Sequence, residues 1–248
     1  MANARITYLY HSAFTVETDH FFLIFDYYMD DVTTGKKRGI ASGVLTPQDF
    51  PKGKKIAVFV SHNHRDHFNP VIFKWQKDRG NISYILSSDV RTRNKAIRMA
   101  PYEHVAVEGD GISVDTYGST DAGVSFVINA DGFQIFHAGD FNLWHWIEES
   151  TEEEVTLAKR EYLREMENLK DLQFDIVFFP VDPRMGRGYD AGASHFARTM
   201  RPILIVPMHY GDELDTGLRF RQKMSKTGQL CWAPTERGDY CDFDPENL

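Results

Sequence analysis

The chain has 248 residues, of which 42% are hydrophobic, enough for one large domain with a buried core over residues 1–248. Its formal net charge of −8 argues against a nucleic-acid or anionic membrane partner, because both would be repelled by the molecule as a whole. The N-terminal MANARITYLY lacks the apolar part of a signal peptide, and no segment approaches the roughly 20 apolar residues of a membrane span, so we expect a cytoplasmic protein.

The first third of the chain predicts strands that lead into a loop rich in metal-ligand side chains. Alternating apolar residues in RITYLYHSAFTVET and HFFLIFDYY are typical of two strands, and the nearly all-apolar KKIAVFV is typical of a strand buried on both faces. SHNHRDH follows directly. Asn69 is a good N-cap and Pro70 a good first helical residue, so VIFKWQKDR predicts a helix immediately after the histidine cluster.

The rest of the chain continues the alternation of strands and helices. A second round appears in NISYILSSD and RTRNKAIRM, and strands follow in HVAVE, ISVDTY, GVSFVINA and FQIFHAGD, with a hairpin turn at Asp131 and Gly132. Thr151 and Glu154 form a capping box at the start of a charged helix. DIVFFPVDPR and ILIVPMHYGD predict two buried strands separated by a helix-like SHFARTM. This order indicates one mixed α/β domain.

The segment SHNHRDH places four metal-ligand side chains within six positions. His62 and His64 lie two apart at a strand end, so their side chains leave on the same side, and Asp66 and His67 follow where the chain turns toward a helix. Imidazole and carboxylate bind zinc, manganese, iron or nickel, and without a thiolate they do not select among these metals. A polar loop that is merely rich in histidine is the alternative, but the spacing favours a metal site.

Two further ligand candidates also end apolar strand patterns. Asp140 and His209 do so as His62 does, so all three can meet at one sheet edge. The alternative for Asp140 is a turn residue in AGD, since aspartate is a common turn former. The alternative for His209 is a core histidine with satisfied hydrogen bonds.

These motifs resemble those of a known family. SHNHRDH resembles the HxHxDH signature of the metallo-β-lactamase-fold hydrolases, HAGD resembles the motif whose aspartate bridges two metals, and PMHY resembles the motif of the last histidine. YHSAF with FLIFD is similar to the opening of the branch that includes L-ascorbate-6-phosphate lactonase and related uncharacterised bacterial metal-dependent hydrolases. The resemblance implies a four-layer αββα sandwich, with two sheets back to back, helices outside and metals at one edge between the sheets.

The resemblance also implies one or two divalent ions, with zinc as the first choice and manganese, iron or nickel as alternatives. The implied ligands are His62 and His64 for the first ion, Asp66, His67 and His209 for the second, and Asp140 as a bridge between both. Asp26 would be the family's structural aspartate beneath the site.

The chain departs from the family in one ligand. The family places a further histidine of the first metal between HxHxDH and the bridging aspartate, where this chain has TYGSTDAG. Asp121 can replace it as an oxygen ligand, although DAG is also an ordinary turn. His11 and His137 are further candidates, either as substitutes or as groups that orient the ligand carboxylates.

A metal in this set predicts hydrolysis, because a bound ion lowers the pKa of its water toward about 7 and polarises a carbonyl or phosphoryl oxygen. The catalytic candidates are Asp140, which would hold the water through its bridge, and Asp66, which would orient the water or take up a proton. We therefore predict a metal-dependent hydrolase of a small anionic ester, lactone or phosphoester. The alternatives are a non-catalytic metal-binding or sensing protein on the same scaffold, and a nuclease of this fold, which the acidic balance disfavours.

Three residues are candidates for substrate contact. Arg184 follows a buried strand and can clamp a phosphate or carboxylate, with an ion pair to Asp182 or Asp190 as the alternative. Trp144 and His145 follow the bridging aspartate closely enough to form a pocket wall, although aromatic side chains more often pack than bind. The sequence names neither the substrate nor the oligomeric state.

Overall fold

The computed structural model describes residues 3–107 and 111–247. The description leaves out residues 1–2, 108–110 and 248, all of which belong to the predicted domain. Glu108 is also the last residue of the predicted strand HVAVE. The strands are β1 (Ala4–Tyr10), β2 (Ala13–Glu17), β3 (Phe21–Phe25), β4 (Lys55–Val60), β5 (Ile82–Ser87), β6 (Ile97–Met99), β7 (His104–Val107), β8 (Ile112–Gly118), β9 (Val124–Ala130), β10 (Phe133–His137), β11 (Ile176–Pro180), β12 (Leu204–Met208) and β13 (Tyr240–Phe243). The α-helices are α1 (Glu152–Leu169), α2 (Ala191–Met200) and α3 (Leu214–Ser225).

The strands form two mixed sheets. The order is β13-β1-β2-β3-β4-β5-β6 in the seven-stranded sheet and β12-β11-β10-β9-β8-β7 in the six-stranded sheet. The strands β3, β4, β5 and β6 run parallel, and so do β10, β11 and β12. Because neighbouring parallel strands end at the same edge of a sheet, the loops after β10, β11 and β12 can build one site. The loop after β4, in the other sheet, lies against them where the two sheets pack together.

The inner faces of the two sheets share an aromatic core. The rings of Phe14 and Phe178 lie 4.7 Å apart, and those of Phe59 and Phe126 lie 5.5 Å apart, so each pair joins one sheet to the other. All four side chains are fully buried. Burial of a large apolar side chain contributes about 1.5–3 kcal/mol, so these contacts hold the two sheets, and the strand ends that they carry, in a fixed relation.

The outer layers differ between the two sheets. Helices α1, α2 and α3 pack on the six-stranded sheet, where Phe136 of β10 stacks on Phe196 of α2 at 5.4 Å. The seven-stranded sheet is covered by loops and a 3₁₀ helix, Pro70–Lys77, whose Trp75 lies 5.0 Å from the ring of Tyr27. The predicted four-layer metallo-β-lactamase-like fold is confirmed, with few helices. Among the described residues, every helix is too short or too polar to cross a membrane.

Several local predictions need correction. RITYLYHSAFTVET is two strands, because the chain turns at His11, whose φ is 57° and whose N–H donates to the Tyr8 hydroxyl at 2.9 Å. VIFKWQKDR is a 3₁₀ helix, although Asn69 caps it as predicted. RTRNKAIRM is a loop that ends in β6, and neither α3 nor β13 was predicted. The capping box at Thr151 and the Asp131 turn, with φ of 49°, are confirmed.

Candidate metal centre

Four side chains from three loops converge at the edge between the sheets. His62 and His67 follow β4, Asp140 follows β10, and His209 follows β12. The Nε2 atoms of His67 and His209 lie 3.1 and 3.2 Å from Asp140 Oδ1, whereas Nε2 of His62 lies 3.3 Å from Asp140 Oδ2. Oδ1 of Asp140 therefore faces His67 and His209, while Oδ2 faces His62. A carboxylate that bridged two ions would present its two oxygens in this way.

The facing atoms of this cluster have no hydrogen-bond partner of their own. All four side chains are buried, and Nε2 of His62, His67 and His209 and Oδ1 of Asp140 are all unsatisfied. Buried polar atoms are nearly always hydrogen-bonded, so a convergent set of unsatisfied ones needs an explanation. Imidazole nitrogen and carboxylate oxygen aimed at one point are the ligands that zinc and similar ions use, and the donor set therefore fits a metal ion.

Asp26 supports two of the imidazoles from behind. Its Oδ2 accepts a hydrogen bond from His67 Nδ1 at 2.7 Å and another from the Ser61 hydroxyl at 2.6 Å. The Ser61 oxygen in turn lies 3.0 Å from His62 Nδ1 and can accept its proton. In their neutral form both rings thus carry the proton on Nδ1 and present a lone pair on Nε2, as metal-binding histidines do. Asp26 therefore lies directly behind the ligand loop, and its family role stays a prediction.

Asp182 supports the third imidazole in the same way. It follows β11, is fully buried, and its Oδ2 lies 3.1 Å from His209 Nδ1. Sequence reasoning considered Asp182 only as a partner for Arg184, and that pair is present, with Nε 2.9 Å from Oδ1. The other partner considered, Asp190, instead contacts Lys223 at 2.7 Å. A signal was available, since Asp182 ends a buried strand pattern as Asp140 and His209 do.

The charges of the cluster depend on one another. Burial would raise the pKa of Asp140, but the imidazoles of His67 and His209 outweigh it and hold that pKa well below the ordinary value. Burial opposes a charge on His67, yet the carboxylates of Asp140 and Asp26 raise the pKa of His67 well above the ordinary value. Without a metal, a proton on His67 therefore takes the place of the cation that the carboxylates attract.

Ligand-type side chains form an inner and an outer group around this cluster. The inner group consists of His11, Asp66, His67 and His209, whose ligand atoms all lie within 4.8 Å of one another. The outer group consists of His64, Asp121 and Asp140, under the same limit, and a third group of His62, His67 and Asp140 connects the two. We call the places that these groups surround the inner and outer positions. Apart from His137, every ligand candidate from the sequence belongs to at least one of these groups.

Asp121 lies in the outer group although it also belongs to a turn. Its Oδ2 is 3.7 Å from His64 Nδ1, and the two side chains are 51% and 53% exposed. The turn is held against the ligand loop, because the Val124 N–H donates to the Ser61 carbonyl at 2.9 Å. A side chain on Gly123 would meet that carbonyl at 2.0 Å, so the close approach requires glycine. The turn and ligand interpretations of DAG are therefore compatible, and the ligand role stays a prediction.

His11 faces the inner position. Its Nε2 lies 3.6 Å from Asp66 Oδ2, and its ring centre lies 4.1 Å from that of His209. Burial and the nearby His209 lower the pKa of His11 to about 4. His11, Asp26 and His209 all have positive φ, at 57°, 43° and 71°, an uncommon backbone conformation for residues other than glycine that clusters at functional sites.

His137 lies outside the cluster. Its Nε2 donates to the Ser12 carbonyl at 3.0 Å, and its Nδ1 accepts from the Gly139 N–H at 3.3 Å. The ring stacks on Phe25 with centres 5.0 Å apart. With both nitrogens occupied, His137 is a core histidine and cannot substitute for the missing ligand. Its Nδ1 is 3.9 Å from Asp26 Oδ2, so its contribution to the site is to pack beside that carboxylate.

A pocket of about 240 Å³ opens over the ligand atoms. Besides ligand-type residues, its wall includes Thr120, Trp144, Trp146 and Arg184. Trp144 donates its Nε1–H to the Asp140 carbonyl at 2.7 Å and meets the His209 ring edge-on at 5.5 Å. Larger surface cavities lie elsewhere, but this one borders the unsatisfied ligand atoms. Ligand pockets typically measure about 300–1,000 Å³, so the group that enters here is small.

His145 does not reach this pocket. The side chain is only 6% exposed and packs against Gly188, where an added Cβ would lie 2.5 Å from His145 Cε1. The expected substrate contact of His145 is therefore replaced by packing, while Trp144 and Trp146 on either side line the pocket. Spacing along the chain did not reveal this alternation, because 141–150 is an irregular loop with no fixed side-chain period.

Comparison with known proteins finds a matching family profile, related sequences and a shared fold. A beta-lactamase superfamily domain profile matches residues 5–156. A UPF0173 metal-dependent hydrolase of Heliobacterium modesticaldum is 29% identical over 168 residues, which cover 62% of this chain and 64% of that protein, just under two thirds of it. A UPF0173 metal-dependent hydrolase of Methanosarcina mazei is 26% identical over 229 residues, covering 85% of this chain and 84% of that protein. Igni18, a metallo hydrolase from Ignicoccus hospitalis, has a similar fold, with a TM-score of 0.69 at 20% identity, covering 98% of this chain and 99% of that one.

Proposed function

The chain belongs to the beta-lactamase superfamily, and we propose that it is a metal-dependent hydrolase of a small anionic ester, lactone or phosphoester. The observation that carries this proposal is the convergence of three unsatisfied imidazole nitrogens on the two oxygens of Asp140. A divalent ion held there would activate a water and polarise a carbonyl or phosphoryl oxygen. We propose one or two ions per chain, zinc first, with manganese, iron and nickel as alternatives that this ligand set also suits.

We assign Asp66 to the attacking water. Its side chain borders the pocket and lies beside His11. The contact with His11 holds the pKa of Asp66 below the ordinary range, so the carboxylate is ionised at neutral pH and can accept a hydrogen bond from water. As the water oxygen bonds to the acyl carbon or phosphorus, the bond to the leaving oxygen breaks. The proton released by the water passes by way of Asp66 to that oxygen.

Arg184 supports an anionic substrate. One edge of its guanidinium is bound to Asp182, which fixes its direction, and the side chain lines the pocket. Its other N–H groups suit a phosphate or carboxylate, which guanidinium binds in bidentate geometry. Trp144 beside it would cover the apolar part of a small substrate. The lactonase branch that the opening motifs resemble would act on a substrate of this class. We expect no nucleic-acid partner, because the chain is acidic overall.

Metal content and turnover test the proposal together. The protein is purified without chelator or histidine tag, and its metals are counted by inductively coupled plasma mass spectrometry beside Asp140→Ala and the control Asp175→Ala. Asp175 accepts a backbone hydrogen bond from Gln134 at the opposite end of the same sheet. Each protein is then offered lactones, carboxyl esters and phosphoesters with zinc or manganese. We expect one or two ions and turnover in the wild type and in Asp175→Ala, and neither in Asp140→Ala.

The outcomes separate the two functions that the sequence left open. Bound metal without turnover on any substrate class would favour the non-catalytic metal-binding protein. That alternative is consistent with the absence of one family histidine from this chain. No retained metal, even after zinc is offered back, would exclude both. Turnover that survives Asp140→Ala would contradict the assignment of the site.

A further inference from the structure

His11 differs from the other inner imidazoles in the nitrogen that it presents. The Gly211 N–H donates to His11 Nδ1 at 3.1 Å, so this nitrogen carries the lone pair and the neutral ring keeps its proton on Nε2. In His67 and His209 the arrangement is reversed, since their Nδ1 atoms donate to carboxylates. Nε2 of His67 and Nε2 of His209 face Asp140, whereas Nε2 of His11 faces Asp66. The neutral rings of His67 and His209 thus offer lone pairs to the cluster, and His11 offers an N–H beside it.

The orientation of His11 is fixed from two sides. Its backbone N–H donates to the Tyr8 hydroxyl at 2.9 Å, and its carbonyl accepts from the His209 N–H at 3.1 Å. The chain from 209 to 211 therefore holds both the backbone and the ring of His11. Moving the proton to Nδ1 would place it against the Gly211 N–H, two donors facing each other at a nearly buried site. Such a pair is unfavourable because neither proton would then have an acceptor.

The proton on Nε2 has no acceptor at present. Nε2 of His11 is buried and unsatisfied, and the nearest carboxylate oxygen, Oδ2 of Asp66, lies 3.6 Å away, beyond hydrogen-bond reach. The donor faces the Asp66 carboxylate, which borders the pocket. A molecule that brings an oxygen atom beside this carboxylate would satisfy the donor.

We propose that His11 donates this N–H to the substrate oxygen that gains negative charge during hydrolysis, and that it does not bind the metal ion. The proposal rests on the proposed function and adds a catalytic residue to it. A donor held in place before the reaction stabilises developing charge without reorganisation. Its position next to Asp66 and His209 puts it beside both the water-orienting carboxylate and a ligand.

Two variants of His11 separate donor from ligand. His11→Phe keeps the bulk of the ring and donates nothing, whereas His11→Gln keeps an N–H near the Nε2 position. His209→Gln is the matched control for loss of a ligand. Each zinc-loaded protein is assayed for zinc per chain and, by calorimetry, for its affinity for inorganic phosphate as an oxyanion probe. Circular dichroism confirms that each variant is folded.

We expect both His11 variants to hold as much zinc as the wild type, and His209→Gln to hold less. Phosphate should bind about 10- to 100-fold more weakly to His11→Phe, because a hydrogen bond to a charged group is lost, and His11→Gln should bind closer to the wild type. Zinc loss in His11→Phe comparable to that in His209→Gln would make His11 a ligand and overturn the proposal. Unchanged phosphate affinity with full zinc would overturn it equally.

Two other outcomes also have a defined interpretation. Should His11→Phe not fold, the zinc content of His11→Gln decides between ligand and donor in the same way. A wild-type protein that retains no zinc would contradict the proposed function itself, so the two failures are distinguishable.

Discussion

The inner and outer positions differ in what lies behind their ligands. His67 and His209 of the inner group are fully or almost fully buried, and each hydrogen-bonds a buried carboxylate through the nitrogen that faces away from the site. His64 and Asp121 of the outer group are half exposed and lie 3.7 Å apart. The imidazoles of His67 and His209 are therefore oriented by folding, whereas the side chains of His64 and Asp121 would be ordered only when an ion binds.

This difference predicts unequal affinity. Ordering a flexible side chain costs up to about 1.5–2 kcal/mol. At the outer position this cost reduces the free energy of ion binding, whereas at the inner position it has already been met during folding. Carboxylates behind an imidazole also raise its basicity as a ligand. We expect a tightly held inner ion and an outer ion that a mild chelator removes.

Among changes that leave every ligand of the inner position in place, the largest effect should come from removing a carboxylate behind one of them. Asp182→Asn weakens the support of His209 and leaves the ligand itself intact, so inner affinity should fall about 10- to 100-fold. Zinc titration against a competing chelator measures the change. Asp190→Asn, which removes a buried carboxylate paired with Lys223, is the control and should leave zinc affinity unchanged. Equal losses in both variants would mean that general destabilisation is responsible.

The second largest effect should come from acidification, which lowers the affinity of the inner position for zinc. In the metal-free protein Asp140 and Asp26 outweigh burial and raise the pKa of His67, so a proton occupies Nε2 to a higher pH than in an ordinary histidine. Zinc must displace that proton. Apparent affinity should therefore rise about tenfold per pH unit for each proton displaced at pH values below the raised pKa of His67, and level off above that pKa. A flat profile in competition titrations would show that no proton is displaced.

The smallest effect should come from the outer position. Asp121→Asn removes a charged ligand, so the second zinc equivalent should bind about tenfold more weakly while the first is unchanged. Asp121→His restores the residue type of the family and should strengthen the second equivalent. Calorimetric titration resolves the two equivalents. If neither variant moves the second equivalent, Asp121 is a turn residue alone.

The local sequence was sufficient to predict those features that depend on neighbouring residues in the chain. The ligand loop from His62 to His67 could be identified directly, because a buried strand pattern fixes where the loop begins and four ligand-type residues lie within six positions. The strands β7 to β12 along the chain and the capped start of α1 were likewise predicted, since alternation and capping are local properties. Family motifs supplied Asp140 and His209 as further candidates.

Tertiary structure decided which distant residues share the site and which atom each one presents. Asp182 and His11 lie far apart in the chain, and the roles assigned to them follow from contacts with residues 27 and 200 positions away. His137 and His145 looked equally available in the sequence, yet both are held in the core. Sequence spacing cannot show this, because hydrogen bonds across the packed sheets, not neighbours in the chain, determine where a histidine keeps its proton and which way its ring faces.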